Sequence, residues 1–292
     1  MLKGFILKGI AGKYTVRTNK GDLTCEITGK IKYDNDRPIV GDFVLIELIN
    51  EEEKRGMINE ILPRKTELHR PKVSNVSQAV IVFALKNPDP HLNLLDRMIT
   101  FAEYTGLKTV ICFNKADIVT DEMIKEYREI YEKVGYSVIV TSVKEEKGKE
   151  ELIEVLKNEI TVLAGPSGAG KSSLLNMIQP NLKLRTGEIS KKIKRGKHTT
   201  RHTELISLNK GGWVVDTPGF ANLDVSFIDE NRLGEYFKEI NDCRHLCKFN
   251  NCMHLNEPKC AVKEKLKTKE MARSRYESYV LMLNEIRESR RF

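Results

Sequence analysis

The sequence predicts a multi-domain α/β protein in three parts: a small N-terminal β-barrel over residues 1–66, a parallel-sheet domain over 67–224 and a helical domain over 225–292. Three successive rhythms along the chain predict it. Short, loosely alternating apolar segments punctuated by glycine come first. From about residue 75, continuous apolar runs alternate with stretches of helical period. Past about residue 225 the strand-like runs stop, and cysteine and histidine crowd together between helical segments. A chain of 292 residues suits two or three domains, and its 40% hydrophobic and 31% charged content is that of a globular rather than a disordered protein.

In the first part KYTVRTN, DLTCEIT, DFVLIEL and GMINEIL read as strands, set apart by Gly12, Gly21, Gly29, Gly41 and Gly56. Short strands at such close spacing make a small barrel, commonly an OB-fold. Such a barrel either binds RNA or caps the structure, and this segment alone does not separate the two. In the second part QAVIVFAL, TVICFN, YSVIVTS, ITVLAG and WVVDT are β-rich without alternation, as strands buried on both faces are. NLLDRMITFAEYTG, TDEMIKEYREIYEKVG and KEELIEVLKNE carry helical period between them, which predicts a mostly parallel sheet covered by helices. Ligands of such sheets bind beyond the carboxyl ends of the strands. The third part is expected to end in one charged helix, KEKLKTKEMARSRYESYVLMLNEIRESRRF.

A net charge of +8 and a pI near 9.0 point to a polyanionic partner, nucleic acid first, against the plainer reading of a soluble basic protein. The opening MLKGFILKGIAGKY has too short an apolar run for a secretory signal, and no run is long enough to span a bilayer. The expectation is a cytoplasmic chain with no membrane partner, monomeric by default. Four of its six cysteines (Cys243, Cys247, Cys252 and Cys260) share one short segment, which in a reducing compartment favours a metal over disulfides. Cys25 and Cys112 lie in apolar strand-like surroundings and read as small core residues.

Gly165-Pro166-Ser167-Gly168-Ala169-Gly170-Lys171-Ser172 fits the phosphate-loop pattern G-x-x-x-x-G-K-[ST], between a strand and the helix KSSLLNMI. Glycines let the backbone bend around phosphates, with N–H groups from about Ser167 to Ser173 turned inward and the helix N-terminus adding positive potential. Lys171 is expected to charge-stabilise the β- and γ-phosphates, a catalytic role, and Ser172 to offer its hydroxyl to Mg²⁺.

Asn114-Lys115-Ala116-Asp117 ends the strand TVICF and matches the guanine-reading pattern N-K-x-D. An ionised Asp117 accepts two hydrogen bonds from guanine N1–H and its exocyclic amine; adenine offers neither, and a desolvated carboxylate left unpaired rejects it. The aliphatic stem of Lys115 suits the base plane, Asn114 suits a tie to the phosphate loop, and Thr141-Ser142-Val143 at the next strand end suits a supporting base loop. The nucleotide expected is GTP, with GDP as product.

Asp216-Thr217-Pro218-Gly219 matches D-x-x-G: Asp216 is expected to hold Mg²⁺ through water and the Gly219 N–H to meet the γ-phosphate. KKIKRGKHTTRHTE lies where a first switch belongs, with Thr199 or Thr200 as a further Mg²⁺ ligand. Its Lys191, Lys192, Lys194, Arg195, Lys197 and Arg201 suit contact with phosphate or RNA, against the plainer reading of a solvated basic loop. Phe220 stands where many GTPases place a water-orienting glutamine. Phenylalanine cannot orient water, so hydrolysis is slow or another residue helps. His198 is the candidate, with a surface role as the alternative for it and for His202. Because N-K-x-D precedes the phosphate loop, the motifs describe a circularly permuted P-loop GTPase domain. In this order D-x-x-G feeds directly into the Cys/His segment, and the nucleotide state is expected to reposition it.

Cys243, His245, Cys247, Cys252, His254 and Cys260 are six donors for the four places of a tetrahedral Zn²⁺, in a closed structural site. Composition leaves Cys243 and His245 in play.

N-K-A-D ahead of G-P-S-G-A-G-K-S-S, then R-G-K-H-T-T, D-T-P-G-F and C-x4-C-x-H-x5-C, closely resembles the bacterial RsgA family, the ribosome small subunit-dependent GTPases, over nearly the whole chain. The resemblance implies an N-terminal OB-fold, a permuted GTPase domain and a helical zinc-binding domain. It selects Cys247, Cys252, His254 and Cys260 as ligands of one structural zinc ion. It supports His198 as the hydrolysis residue and makes the missing glutamine normal for the group. It further implies a GTPase that binds the small ribosomal subunit and its rRNA, is stimulated by that particle, and acts in its late maturation. The contrasting expectation is an RNA-binding module with a largely structural, slowly hydrolysing guanine-nucleotide site.

Overall fold

The computed structural model describes residues 1–29, 31, 37–69, 71–182, 203–216 and 224–290. They fall into two compact units, each visited by three passes of the chain. One takes Met1–Gln78, Ile153–Leu163 and Gly187–Gly219; the other takes Ala79–Leu152, Ala164–Thr186 and Phe220–Phe292.

In the first unit β1 (Leu2–Ile10), β2 (Lys13–Thr18), β3 (Gly21–Ile27), β4 (Phe43–Asn50) and β5 (Arg55–Ile61) run in the order β1-β2-β3-β5-β4, and β4 returns to β1. This closed order is that of the OB-fold barrel. Alternation turns Ile6, Val16, Val44, Ile46 and Ile58 inward, all fully buried. Gly4 faces the same interior, where an added Cβ would stand 2.5 Å from Val16 Cγ1 and 2.6 Å from Ile46 Cδ1. The sequence reading had no strand at Leu2–Ile10; pairing with β2 on one side and β4 on the other makes one.

Buried Asp42 accepts from Ile39 N (2.8 Å), Ser74 Oγ (2.6 Å) and Arg64 Nε (2.7 Å), which fastens the hairpin of β6 (Glu67–His69) and β7 (Lys72–Ser74) to the barrel. The same unit holds β11 (Ile160–Ala164), β12 (Glu204–Ser207) and β13 (Trp213–Asp216), ordered β11-β13-β12-β1, so the barrel strand β1 extends this sheet. β11 and β13 are parallel, and β12 and β13 form an antiparallel hairpin.

In the second unit β8 (Gln78–Ala84), β9 (Lys108–Asn114) and β10 (Ser137–Val140) lie side by side, with β9 and β10 parallel. Every residue of β8 is buried, which is why it shows no alternation. Among the described residues the α-helices, of which α3 runs on into the first unit, are α1 (Leu92–Tyr104), α2 (Asp121–Glu132), α3 (Lys149–Leu156), α4 (Lys171–Ile178), α5 (Lys238–Asn241), α6 (Ala261–Lys267) and α7 (Arg273–Ser289). His91 Nδ1 caps α1 through Leu94 N at 3.2 Å, and Thr120 Oγ1 caps α2 ahead of Asp121 and Glu122 in its first turn.

The single terminal helix expected from the sequence is two, α6 and α7. Thr268 Oγ1 donates to Lys265 O at 3.2 Å, Lys269 turns left-handed at φ 60°, and the break tucks Met271 into the core shared by Leu233, Phe237, Tyr279 and Leu283. A continuous helix would carry Met271 out of that core.

α7 docks on α1 through a charge cluster with no water access. Arg275 Nη1 donates to Asp96 Oδ1 at 2.7 Å, and its Nε and Nη2 donate to the Glu239 carboxylate at 2.7 and 3.1 Å. Arg275 and Asp96 are fully buried, Tyr131 donates its hydroxyl to Asp96, and the Phe237 ring lies 4.8 Å from the guanidinium carbon.

Candidate functional site

The phosphate loop leaves β11 at Gly165 with φ 135°, its Cα pressed on the Val82 carbonyl where any Cβ would collide. Gly170 begins α4 at φ 99°, in the left-handed region, and there a Cβ would meet Asn114 Nδ2. Between them Ser167 and Gly168 are exposed and Ala169 is buried. Lys171 Nζ donates to Gly165 O at 2.6 Å and Pro166 O at 2.9 Å. Burial lowers its pKa to about 8. Ser172 is buried on the first turn of α4, and Ser173 beside it is half-buried.

Asn114, at the end of β9, joins the two loops. Its Nδ2 donates to Ala169 O at 2.9 Å, and its Oδ1 accepts from Thr141 Oγ1 at 3.1 Å. Thr141 N donates to Phe113 O, and Ala116 N to Thr141 O, so the ends of β9 and β10 are knitted by backbone as well. Ser142 Oγ donates to Asp117 Oδ1 at 2.7 Å, leaving the other carboxylate oxygen for a ligand. Lys115 turns left-handed at φ 65° and its Nζ donates to Asn87 O.

Sequence reasoning missed the loop carrying Asn87. Pro88 of the same loop lies 3.4 Å from where a Gly168 Cβ would stand. The N-P-D-P run announces a turn, but nothing in it says which loops it will meet. Beneath the site, Cys112 Sγ lies 3.4 Å from Thr141 Oγ1, and burial pushes its thiol up to about 12, so it is an uncharged packing group. Cys25 is likewise a buried free thiol, raised to about 11.

A second cluster lies under α7. Ligand atoms of Cys247, Cys252, His254 and Cys260 all fall within 4.8 Å of one another, with His254 Nδ1 3.6 Å from Cys247 Sγ and 3.4 Å from Cys260 Sγ. Three thiols and one imidazole so converged fit a soft divalent ion in tetrahedral coordination. Burial raises the Cys252 thiol and lowers the His254 imidazole, and a bound cation would displace thiol protons. Tyr276 and Tyr279 of α7 donate to His254 O and Met253 O at 2.7 and 3.1 Å, and Glu257 accepts from Met253 N and Leu255 N, both at 2.8 Å. The two donors that composition left in play stand apart: Cys243 Sγ donates to Glu239 O, and His245 is exposed.

His198, Thr199, Thr200, Gly219, Phe220 and the basic run from Lys191 to Arg201 lie outside the described residues, as does the side chain of Asp216; the Asp216 backbone closes β13 opposite Glu204.

A phosphate loop after β11, an N-K-x-D loop earlier in the chain after β9, and a barrel ahead of both define a circularly permuted GTPase. The RsgA GTPase family model matches residues 61–226 and the RsgA N-terminal domain model residues 3–58. The chain belongs to the RsgA GTPase family, and is by that membership a hydrolase. It is 51% identical to the small ribosomal subunit biogenesis GTPase RsgA of Alkaliphilus metalliredigens over all of both chains. It is 46% identical to the same-named protein of Caldanaerobacter subterraneus, over 98% of this chain and 96% of that one. Among solved structures it resembles YjeQ from Thermotoga maritima (39% identity, TM-score 0.86, 98% of each chain). It also resembles YloQ, described as a circularly permuted GTPase (36% identity, TM-score 0.84, 99% of this chain and 96% of that one).

Proposed function

We propose that this chain binds the small ribosomal subunit through its rRNA and acts in late maturation of that particle, using GTP hydrolysis to time docking and release. The observation that carries the nucleotide reading is the Asn114–Ala169 hydrogen bond, which makes the guanine loop and the phosphate loop one site. Asp117, held by Ser142, reads the guanine edge, and Lys115 and Thr141 frame the base. Ser167, Gly168, Ala169, Gly170 and Ser173 cradle the phosphates with backbone N–H groups, and Gly165 and Pro166 shape the start of the loop. Lys171 exchanges its two carbonyl partners for phosphate oxygens, which supply the charge its buried amine lacks.

Ser172, Thr199 or Thr200, and Asp216 would hold Mg²⁺, which when bound neutralises charge on the β- and γ-phosphate oxygens. Gly219 would contact the γ-phosphate, and His198 would orient the attacking water in place of the absent glutamine. Cys247, Cys252, His254 and Cys260 would hold one structural Zn²⁺. No described helix is long and apolar enough to cross a membrane, and the reading is of a monomer working in the cytoplasm.

The test is GTP turnover by the full chain, alone and with purified small subunits, beside His198→Ala. Strong stimulation that the variant loses supports the reading. A slow rate unmoved by subunits replaces it with an RNA-binding module whose nucleotide is structural. Asp117→Asn, which turns an acceptor toward a donor, should shift preference to xanthosine triphosphate, whose base carries a carbonyl at that edge.

A further inference from the structure

Resting on that reading, we infer that the barrel is latched to the β12–β13 hairpin by cations that an RNA phosphodiester backbone competes for, so that RNA on the barrel releases the hairpin between the two switch motifs.

The latch begins with a bulge. The register of β1 on β2 runs Phe5↔Arg17 and Ile6↔Val16, then jumps to Lys8↔Thr15. The extra residue puts Lys8 on the same face as Phe5 and Arg17, which strict alternation would forbid for residues three apart. That face is the outside of the barrel, opposite buried Ile6 and Val16. There the Phe5 ring packs 5.5 Å from the Trp213 ring at the start of β13, and the Arg17 guanidinium carbon lies 5.4 Å from the Trp213 ring centroid. Lys8 is the register partner of Glu204 and bonds its carboxylate at 2.5 Å; Glu204 in turn is the register partner of Asp216. One line across three strands thus runs from the barrel to the first residue of D-x-x-G, and β12 begins just past the residues 183–202 that hold the first switch motif.

The two cations are weakly owned. The Lys8 and Glu204 side chains are 34% and 44% exposed, and Arg17 and its other partner Asp22 are each 42% exposed. Exposed pairs of this kind contribute little. Phosphate oxygens offer charge-assisted bonds, bidentate for Arg17, with release of condensed counterions besides. RNA phosphates therefore win Lys8 from Glu204 and Arg17 from Trp213. Lys8 and Glu204 act as a positioning pair: they touch no reacting atom and restrain the hairpin that bears Asp216.

Trp213 is the sole tryptophan of the chain and sits in the latch, so it reports directly. Protein-free small-subunit rRNA added to the full-length protein should red-shift Trp213 emission and raise its quenching by acrylamide. Glu204→Lys should show the shifted emission without RNA and about fivefold faster unstimulated turnover, the most an exposed ion pair allows. Its stimulated rate should stay at the wild-type value. Lys8→Glu combined with Glu204→Lys restores the pair and should return emission and unstimulated rate to wild type, which loss of Glu204 for packing alone would not. Emission unmoved by rRNA, or an unstimulated rate unchanged in Glu204→Lys, overturns the latch. Small subunits that fail to stimulate the wild type overturn the function proposed above, and the Trp213 signal still decides the latch.

Discussion

Lys171, half-buried, and Arg275, fully buried, are cations of the same unit, and the fold treats them in opposite ways. Arg275 has two carboxylates bound through Nε, Nη1 and Nη2 and an aromatic face, and its partners hold its pKa well above the ordinary value against the burial that lowers it. Lys171 has two carbonyl oxygens and, among the described residues, no counter-charge, and its pKa falls. A buried cation between two carboxylates is a fastening. One left under-partnered at a loop is a vacancy for an anion, and the difference is legible from partners alone.

The contrast is sharpest in stability. Arg275→Ala strands Asp96 and Glu239 and should cost about 3–5 kcal/mol in denaturant unfolding, while GTP affinity of the folded protein stays within about twofold. Loss of affinity in step with stability would break the distinction. Next, Lys171→Ala should lower GTP turnover by about 10²–10³ yet unfold at the same denaturant concentration or higher, because it removes a desolvated charge.

The pH dependence sharpens it further. Folding lowers the Lys171 pKa to about 8, so between about 8 and 10.4 the unfolded chain holds more of this proton. The nucleotide-free protein should therefore gain stability from this group across that window and lose it as pH falls toward 8. GTP affinity should run the other way: bound phosphate restores the proton, and affinity falls by up to about tenfold per pH unit above 8. Calorimetry in buffers of different ionisation heat would detect the proton taken up. The smallest effect is Ser142→Ala, which frees Asp117 and should weaken GTP by about fivefold, the worth of one ordinary hydrogen bond, without moving the Lys171 pH profile.

The two loops of the proposed nucleotide site were legible because they are contiguous strings at strand ends, Gly165–Ser172 and Asn114–Asp117, and the structure brings them together through Asn114 and Ala169. The fastening was not. Asp96 lies 179 residues from Arg275, and Glu239 36, and each sits on a helix whose local pattern shows only a charged residue. The strand Leu2–Ile10 was hidden for the same reason, since its alternation is blurred by a bulge and its partners lie elsewhere in the chain. Among the cysteines, spacing announced a metal but could not choose four donors from six; Cys243 was withdrawn by a hydrogen bond to Glu239 O that only folding creates. The turn at Thr268–Ala272 was missed because burial of Met271, not a breaker residue, ends the helix there.

Gly170 is crowded against Asn114 so closely that no side chain fits between them, and Asn114 is itself bonded to the neighbouring Ala169 carbonyl. On the proposed nucleotide reading, the base loop and the phosphate loop would be two jaws set at a fixed distance, and the protein a gauge of length. A guanosine without its phosphates would fill one jaw and leave the other empty. A triphosphate with the wrong base would arrive displaced at its phosphate end. Choice of base and alignment of the reacting phosphate would then be a single measurement.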